Sequence, residues 1–183
     1  MVASVPDVIR FLAVAVVVAA LCGCGSSSKK TTTAATTQPS GGTTSNGARI
    51  IDGIRCQPEH LETHYHAHLE LLANGRSVTV PALIGIDLQH QCLYWLHTHD
   101  ATGVMHIESP DTRTYTLGEF FDVWGQPLSP TRAASLHGTL KVFVGKRRVN
   151  VNPRNVVLKP HELITIEQGR TVTPPSYTFA PGL

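Results

Sequence analysis

The sequence predicts a β-rich domain of the α+β class, built as an antiparallel sheet of hairpins with one or two short helices. Three observations lead to this prediction. Short apolar runs with strand alternation fill residues 49–183, turn signals separate these runs, and a capping-box motif marks a short helix. We therefore expect residues 49–183 to form a single domain with one core.

Turn signals define most of the predicted strands. Asn74-Gly75 is typical of a two-residue hairpin turn, and Asp100 to Gly103 form a second turn. Strands are predicted at residues 64–73, 76–80, 92–99, 104–109, about 139–144, 147–151 and 162–167.

The helix prediction depends on Thr116 and Glu119, which form a capping box. The helix continues through Trp124, and Gly125 and a following proline end it. A further helical turn is predicted to begin at Ser129-Pro130.

An internal repeat is a second way to interpret the strand pattern. Residues 69–80 align without gaps on residues 140–151, and both segments are predicted to be the same hairpin. Few positions are identical, so the alignment fits a two-fold duplication and convergent strand patterning equally well. The first strand of the second copy carries no histidine.

The N-terminus predicts export. Arg10 precedes an apolar run at residues 11–21 that is too short to span a bilayer, as in a secretory signal. Leu21-Cys22-Gly23-Cys24 resembles the bacterial lipobox, which implies that residues 1–23 are a signal peptide and that Cys24 carries a lipid. The protein would then be anchored to the cell membrane on its extracytoplasmic side. An ordinary signal peptide or an uncleaved anchor is the alternative. Residues 24–48 are rich in Ser, Thr and Gly and are predicted to be a flexible linker.

Cysteine usage agrees with export. Once Cys22 is removed and Cys24 is lipidated, Cys56 and Cys92 remain and are predicted to form a disulfide. Metal ligation by their thiolates is the alternative. A blue-copper site using Cys92, His97 and Met105 is disfavoured, because those three ligands are too widely spaced for one short loop.

Charge divides the domain into two parts. Residues 49–136 contain five basic and ten acidic residues, and residues 137–183 contain seven basic and two acidic residues. The acidic part favours cations. The basic part contains the cluster Lys146-Arg147-Arg148, which has no interleaved aromatic residue, so we expect no nucleic-acid binding.

Histidines are the main functional signal, because eight of the ten lie between His60 and His106. Strand alternation places a run of His-x-His on one face of a sheet. Imidazole binds zinc and copper, so the pattern predicts a site for one of these metals. The candidate ligands are His64, His66, His68, His97, His99 and His106.

The second hairpin supplies the geometric argument. With a turn at residues 100–103, His97 lies opposite His106 and Trp95 lies opposite Glu108, all on one face. His97, His99 and His106 would then form a three-histidine site with an open coordination position. At least one histidine of the first strand should lie within reach. Glu108 and Asp100 are predicted to contact the ligands from outside.

Two resemblances bear on this site. The three-histidine arrangement resembles the zinc ligands of α-carbonic anhydrases, from which we carry over only the geometry. The stretches Tyr94 to Asp100, His106 to Pro110 and Thr116 to Gly125 resemble a histidine-rich domain of uncharacterised bacterial exported lipoproteins. That resemblance implies a single exported domain and no particular activity.

Three functions remain open at this point. A non-catalytic binder of copper or zinc is favoured, because six strand histidines exceed the needs of a three-ligand catalytic site. A zinc hydrolase would use Glu108 or Asp100 as its general base, but the chain has no nucleophile motif such as G-x-S-x-G. The third function is a structural or interaction module that binds no metal.

Overall fold

The computed structural model describes residues 42–59 and 62–183. The predicted signal peptide, Cys24 and most of the predicted linker lie outside the described residues. The elements in chain order are β1 (Cys56–Gln57), β2 (Thr63–Ala73), β3 (Arg76–Val78), β4 (Ile86–Asp87), β5 (Cys92–Tyr94), β6 (Leu96–His97), β7 (Val104–Ser109), β8 (Tyr115–Thr116), α1 (Leu117–Trp124), β9 (Leu128–Ser129), β10 (Arg132–Ala133), β11 (Leu136–His137), β12 (Leu140–Val144), β13 (Arg147–Val149), the 3₁₀ helix η1 (Pro153–Asn155), β14 (Val157–Leu158) and β15 (Leu163–Gln168).

The described chain is rich in strands, as predicted. Its main sheet has seven strands in the order β13-β12-β15-β2-β7-β6, and β3 also pairs with β2. The prediction of an antiparallel sheet is confirmed in part. The neighbouring strands of the main sheet pair in antiparallel fashion, except that β15 pairs with β2 in parallel. β12 and β2 run in opposite directions on the two sides of β15, so β15 must be parallel to one of them.

Two predicted hairpins are confirmed. Asn74 and Gly75 have φ values of 52° and 80°, the positive values that a type I′ turn requires. In this hairpin β2 and β3 pair Leu71 with Val78, and β12 and β13 pair residues 142 and 149 in the same register. The two segments therefore form equivalent hairpins, and a duplication stays a prediction.

The strand predicted at residues 92–99 is broken in two. β5 pairs with β1 and β4 in a separate small sheet, while β6 pairs with β7. The helical turn predicted at Ser129-Pro130 is wrong, because β9 pairs there with β10 in an antiparallel strand pair. These segments are too short for their apolar pattern to reveal their partners.

The capping box is confirmed at the start of α1. The Thr116 hydroxyl accepts a hydrogen bond from the Glu119 amide, and the Glu119 carboxylate accepts one from the Thr116 amide at 2.7 Å. Gly125 ends the helix with a φ of 69°. Within the described ranges, no helix has the length and hydropathy needed to cross a bilayer.

One face of the central strands forms the core. Ala67, Leu69 and Leu71 of β2 are buried with Met105 and Ile107 of β7, in one cluster that includes the phenylalanines of α1. Ala48 is also buried in this cluster, so ordered structure extends to the N-terminal side of Arg49. Strand alternation leaves the even-numbered residues of β2 and β7 on the opposite face.

Candidate metal centre

The opposite face of β2, β7 and β6 carries the histidines. These strands are neighbours in the sheet, with β7 in the middle. His106 of β7 pairs with His97 of β6 on one side and with His66 of β2 on the other, which places three imidazoles in one row. In the next row, His64 of β2 pairs with Glu108. The predicted pairing of His97 with His106 is confirmed.

Two groups of side chains on this face could hold a metal ion. We call His64, His66, His106 and Glu108 the first donor group, and His97, His99, His106 and Glu108 the second donor group. Within each group, one nitrogen or oxygen atom of every residue lies within 4.8 Å of the corresponding atoms of the others. The groups share His106 and Glu108, so the middle strand links them.

The first donor group is tightly converged. His66 Nε2 lies 3.2 Å from His64 Nε2 and 3.1 Å from His106 Nδ1. Glu108 Oε1 completes the group at 3.2 Å from His106 Nδ1 and 3.4 Å from His64 Nε2. Four ligands in a tetrahedron around zinc, at bond lengths of about 2.0–2.1 Å, lie about 3.3 Å from one another. These four distances are therefore close to the edges of a tetrahedral zinc site.

The second donor group is built around His97, whose ring is fully buried. His97 Nδ1 lies 2.8 Å from the carbonyl oxygen of Tyr94, so Nδ1 carries the proton and donates to that oxygen. Nε2 is then the nitrogen with the free lone pair. It lies 3.2 Å from His99 Nε2 and 3.7 Å from Glu108 Oε2. A backbone carbonyl that fixes the tautomer in this way is common behind metal-binding histidines.

Glu108 occupies the centre of the cluster and is 2 % exposed. Its Oε1 faces His64 and His106, and its Oε2 faces His97. Among the described residues, nothing donates a hydrogen bond to the buried Oε2. Burial by itself raises the pKa of this carboxyl, but the hydrogen bond from His106 and the nearby charges of His97, His106 and His64 lower the pKa to about 2. The site thus contains a buried carboxylate anion with an unpartnered oxygen.

Two of the imidazoles around this anion, those of His66 and His97, are held in the neutral state. Burial, together with the neighbouring rings of His106 and His64, lowers the pKa of His66 to about 4. Burial also lowers the pKa of His97 to about 4, although the charge of Glu108 and the hydrogen bond to the Tyr94 carbonyl act in the opposite direction. Neutral imidazole is the form that binds metals.

Two predicted site residues are placed apart from both donor groups. His68 Nε2 lies 2.9 Å from the carbonyl oxygen of Thr102, and its ring stacks on Tyr177 at 3.9 Å between centroids. The Asp100 carboxylate accepts hydrogen bonds from the amide and hydroxyl of Thr102. Both side chains therefore hold the turn that joins β6 to β7. The hydrogen bonds to Thr102 engage a ring nitrogen of His68 and a carboxylate oxygen of Asp100 in the structure of the turn.

The turn also depends on Gly103, whose φ is 86°. A Cβ atom added there would lie 2.4 Å from the carbonyl oxygen of Leu69. Glycine is thus required where the hairpin passes close to β2, and this close approach brings His106 next to His66.

Cys56 and Cys92 form the predicted disulfide, with 5.3 Å between their Cα atoms. Their sulfur atoms are therefore not available as thiolate ligands, although Asp87 lies nearby. Met105 points to the core face and is fully buried, which removes the third residue of a blue-copper site. His90 lies outside both donor groups, and its Nδ1 lies 2.7 Å from Oδ2 of Asp87.

Sequence reasoning placed Glu108 on the correct face but assigned it an outer role. The distances give it the position of a direct donor in both groups. The predicted pairing of Glu108 with Trp95 was the sequence signal that placed Glu108 beside the histidines. The burial of Glu108 became visible only in the fold.

Comparisons of the chain with protein families, with curated proteins and with solved structures found no match.

Proposed function

We propose that this protein binds a transition-metal ion, copper or zinc, on the histidine-bearing face of β2, β7 and β6. The ligands are drawn from His64, His66, His97, His99, His106 and Glu108. The observation that carries this proposal is the convergence of imidazole nitrogens on a buried carboxylate that has an unpartnered oxygen.

Electrostatics supports a cation at this position. A buried carboxylate is costly to desolvate unless a cation or hydrogen-bond donors compensate its charge. His66 and His97 have pKa values near 4 and therefore carry no charge at neutral pH. A bound cation would compensate the carboxylate and use the ring nitrogens as ligands.

The donor atoms support zinc or copper(II). The cluster offers imidazole nitrogens and one carboxylate, and these donors suit both ions. Copper(I) prefers thiolate and thioether donors, which the described cluster does not offer, because Met105 is on the other face and the cysteines are bonded to each other.

A binding role is favoured over hydrolysis. The two residues considered as general bases already have other contacts. Asp100 accepts hydrogen bonds from Thr102 in the turn, and Glu108 lies among the imidazoles. We therefore propose storage, delivery or protection of metal as the role.

We further propose that the domain is tethered outside the cytoplasm through a lipid on Cys24. The support is the lipobox-like Leu21 to Cys24 in the sequence and the disulfide between Cys56 and Cys92, a bond that persists in oxidising compartments.

The single experiment that tests the metal-binding proposal uses the full chain, exported by its host and purified without a histidine tag. The protein is stripped with a chelator and then titrated with zinc(II) and with copper(II) by calorimetry.

The expected result is tight binding that is lost when His106 is replaced by alanine. His137→Ala is the matched control, because His137 is exposed and lies outside both donor groups. Absence of heat and of retained metal for both ions would contradict the proposal.

A further inference from the structure

We propose that the cluster holds two metal ions, with the Glu108 carboxylate bridging them. The inference rests on the proposed metal binding and adds the number of ions and the role of Glu108. One ion lies in the first donor group and the other in the second.

The division of the donor atoms supports two ions. The first donor group contains neither His97 nor His99, and the second contains neither His64 nor His66. β2 and β6 lie on opposite sides of β7, so their backbones are about 9.5 Å apart at the usual spacing of about 4.8 Å between strands. A single ion with bond lengths of about 2.0–2.1 Å satisfies one converged group and leaves the donors of the other strand unused.

Glu108 connects the two groups through different oxygen atoms. Oε1 lies 3.2 Å from His106 Nδ1 and 3.4 Å from His64 Nε2, and Oε2 lies 3.7 Å from His97 Nε2. A carboxylate that presents one oxygen to each of two donor groups has the arrangement of a bridging ligand. In sites of this kind the two ions lie about 3.5–4 Å apart.

Bridging also accounts for the unpartnered oxygen. Oε1 lies within hydrogen-bond distance of His106 Nδ1, whereas the buried Oε2 has no such neighbour in the described part of the chain. An ion held by His97 and His99 would compensate Oε2. The negative charge between the two ions would reduce their mutual repulsion.

The two positions differ in their ligand number. With His106 Nδ1 assigned to the first donor group, that group has four protein ligands and is closed. The second then has His97, His99 and Glu108 Oε2, with an open coordination position beside the exposed His99. A closed position favours retention of metal, and an open one favours exchange with a small ligand.

The first test is the stoichiometry of the full chain, loaded with zinc(II), separated from free metal and measured by elemental analysis. Two ions per chain are expected. One ion per chain would overturn this inference and leave the proposed function standing, and no retained ion would overturn both.

The second test compares His64→Ala with His99→Ala, since both side chains are exposed and their removal should leave the fold intact. In a zinc(II) titration against a competing chelator, each variant should lose roughly 100-fold in affinity for one ion and retain the wild-type affinity for the other. His137→Ala should change neither step. If His64→Ala and His99→Ala weaken the same single step, the two-ion arrangement is wrong.

The third test addresses the bridge with copper(II) as the probe. Electron paramagnetic resonance of the loaded wild type should show a magnetically coupled pair. Glu108→Gln keeps the shape of the side chain but replaces one oxygen by an NH₂ group, so it should weaken the exchange coupling that the bridging carboxylate mediates. Uncoupled copper signals from a wild-type protein that holds two ions would exclude Glu108 as a bridge.

Discussion

His66 and His106 are cross-strand neighbours, and His66 Nε2 lies 3.1 Å from His106 Nδ1. Their ring planes are 88° apart, with 4.4 Å between centroids. The two residues are 40 positions apart in the chain, so the pairing of β2 with β7 creates this contact. It joins the histidines of β2 to the hairpin that carries His97 and His99.

The central position of His106 makes it the most sensitive residue for binding. Replacing His106 by alanine removes a donor shared by both groups. Loss of residues that merely support a ligand typically costs about 10–100-fold in affinity, so we expect a loss of at least roughly 100-fold here. Calorimetry with zinc(II) measures the change, with His137→Ala as the control. Unchanged affinity in His106→Ala would rule out both donor groups as described.

Removal of the metal should lower thermal stability. A ligand that binds only the folded state at about 1,000 times its Kd stabilises that state by about 4 kcal/mol. For a domain of this size, that energy corresponds to roughly 10 °C in Tm. Differential scanning calorimetry should show this decrease when a chelator is added. The same chelator should have no effect on a His97→Ala, His99→Ala, His106→Ala triple variant, provided that circular dichroism shows it to be folded.

The metal-free protein should lose stability as the pH falls from about 6.5 to about 4. In this window His97 is protonated in the unfolded chain and neutral in the folded one, because burial lowers the pKa from 6.5 to about 4. The unfolded state then binds more protons, so the free energy of unfolding decreases as the pH falls. His97 should contribute on the order of 3 kcal/mol to this decrease.

His66 acts in the same direction, since its pKa is also lowered to about 4. Urea unfolding curves at several pH values, in the presence of chelator, would measure the effect. A free energy of unfolding that stays constant from pH 6.5 to pH 4 would show that His97 and His66 are not buried as neutral rings.

Loss of the disulfide should lower the stability of the fold and leave metal binding unchanged. Cys56 and Cys92 are separated by 36 residues, and closing a loop of this size stabilises a fold by roughly 3–4 kcal/mol. Replacing both cysteines by alanine should therefore lower the free energy of unfolding by about that amount. The number of metal ions bound should stay the same, because neither sulfur is a donor. A parallel loss of metal at a temperature where the variant is folded would implicate the cysteines in the site.

The proposed lipid anchor can be tested at Cys24. Cys24→Ser removes the thiol that would be acylated, so the protein should move from the membrane fraction to the soluble extracytoplasmic fraction. Cys22→Ser is the matched control and should leave membrane association unchanged. If Cys24→Ser stays in the membrane fraction, another segment provides the anchor.

Local sequence signals determined several features of the fold. The Asn74-Gly75 turn, the capping box at Thr116 and the pairing of His97 with His106 all follow from residues close together in the chain. Positive φ values, helix capping and hairpin register are local properties. The alternation of Ala67, Leu69 and Leu71 with histidines likewise determined which face of β2 enters the core.

Only the tertiary structure decided what the histidines meet. No turn connects β2 to β7, so nothing local specified that His66 lies opposite His106 or that His64 lies opposite Glu108. The parallel pairing of β15 with β2 was hidden for the same reason. Burial of Glu108 depends on three strands together, which is why a residue predicted to support the site became its centre. His68 lies on the same face of β2 but contacts the carbonyl oxygen of Thr102. The position of that turn depends on the packing of β6 and β7 against β2.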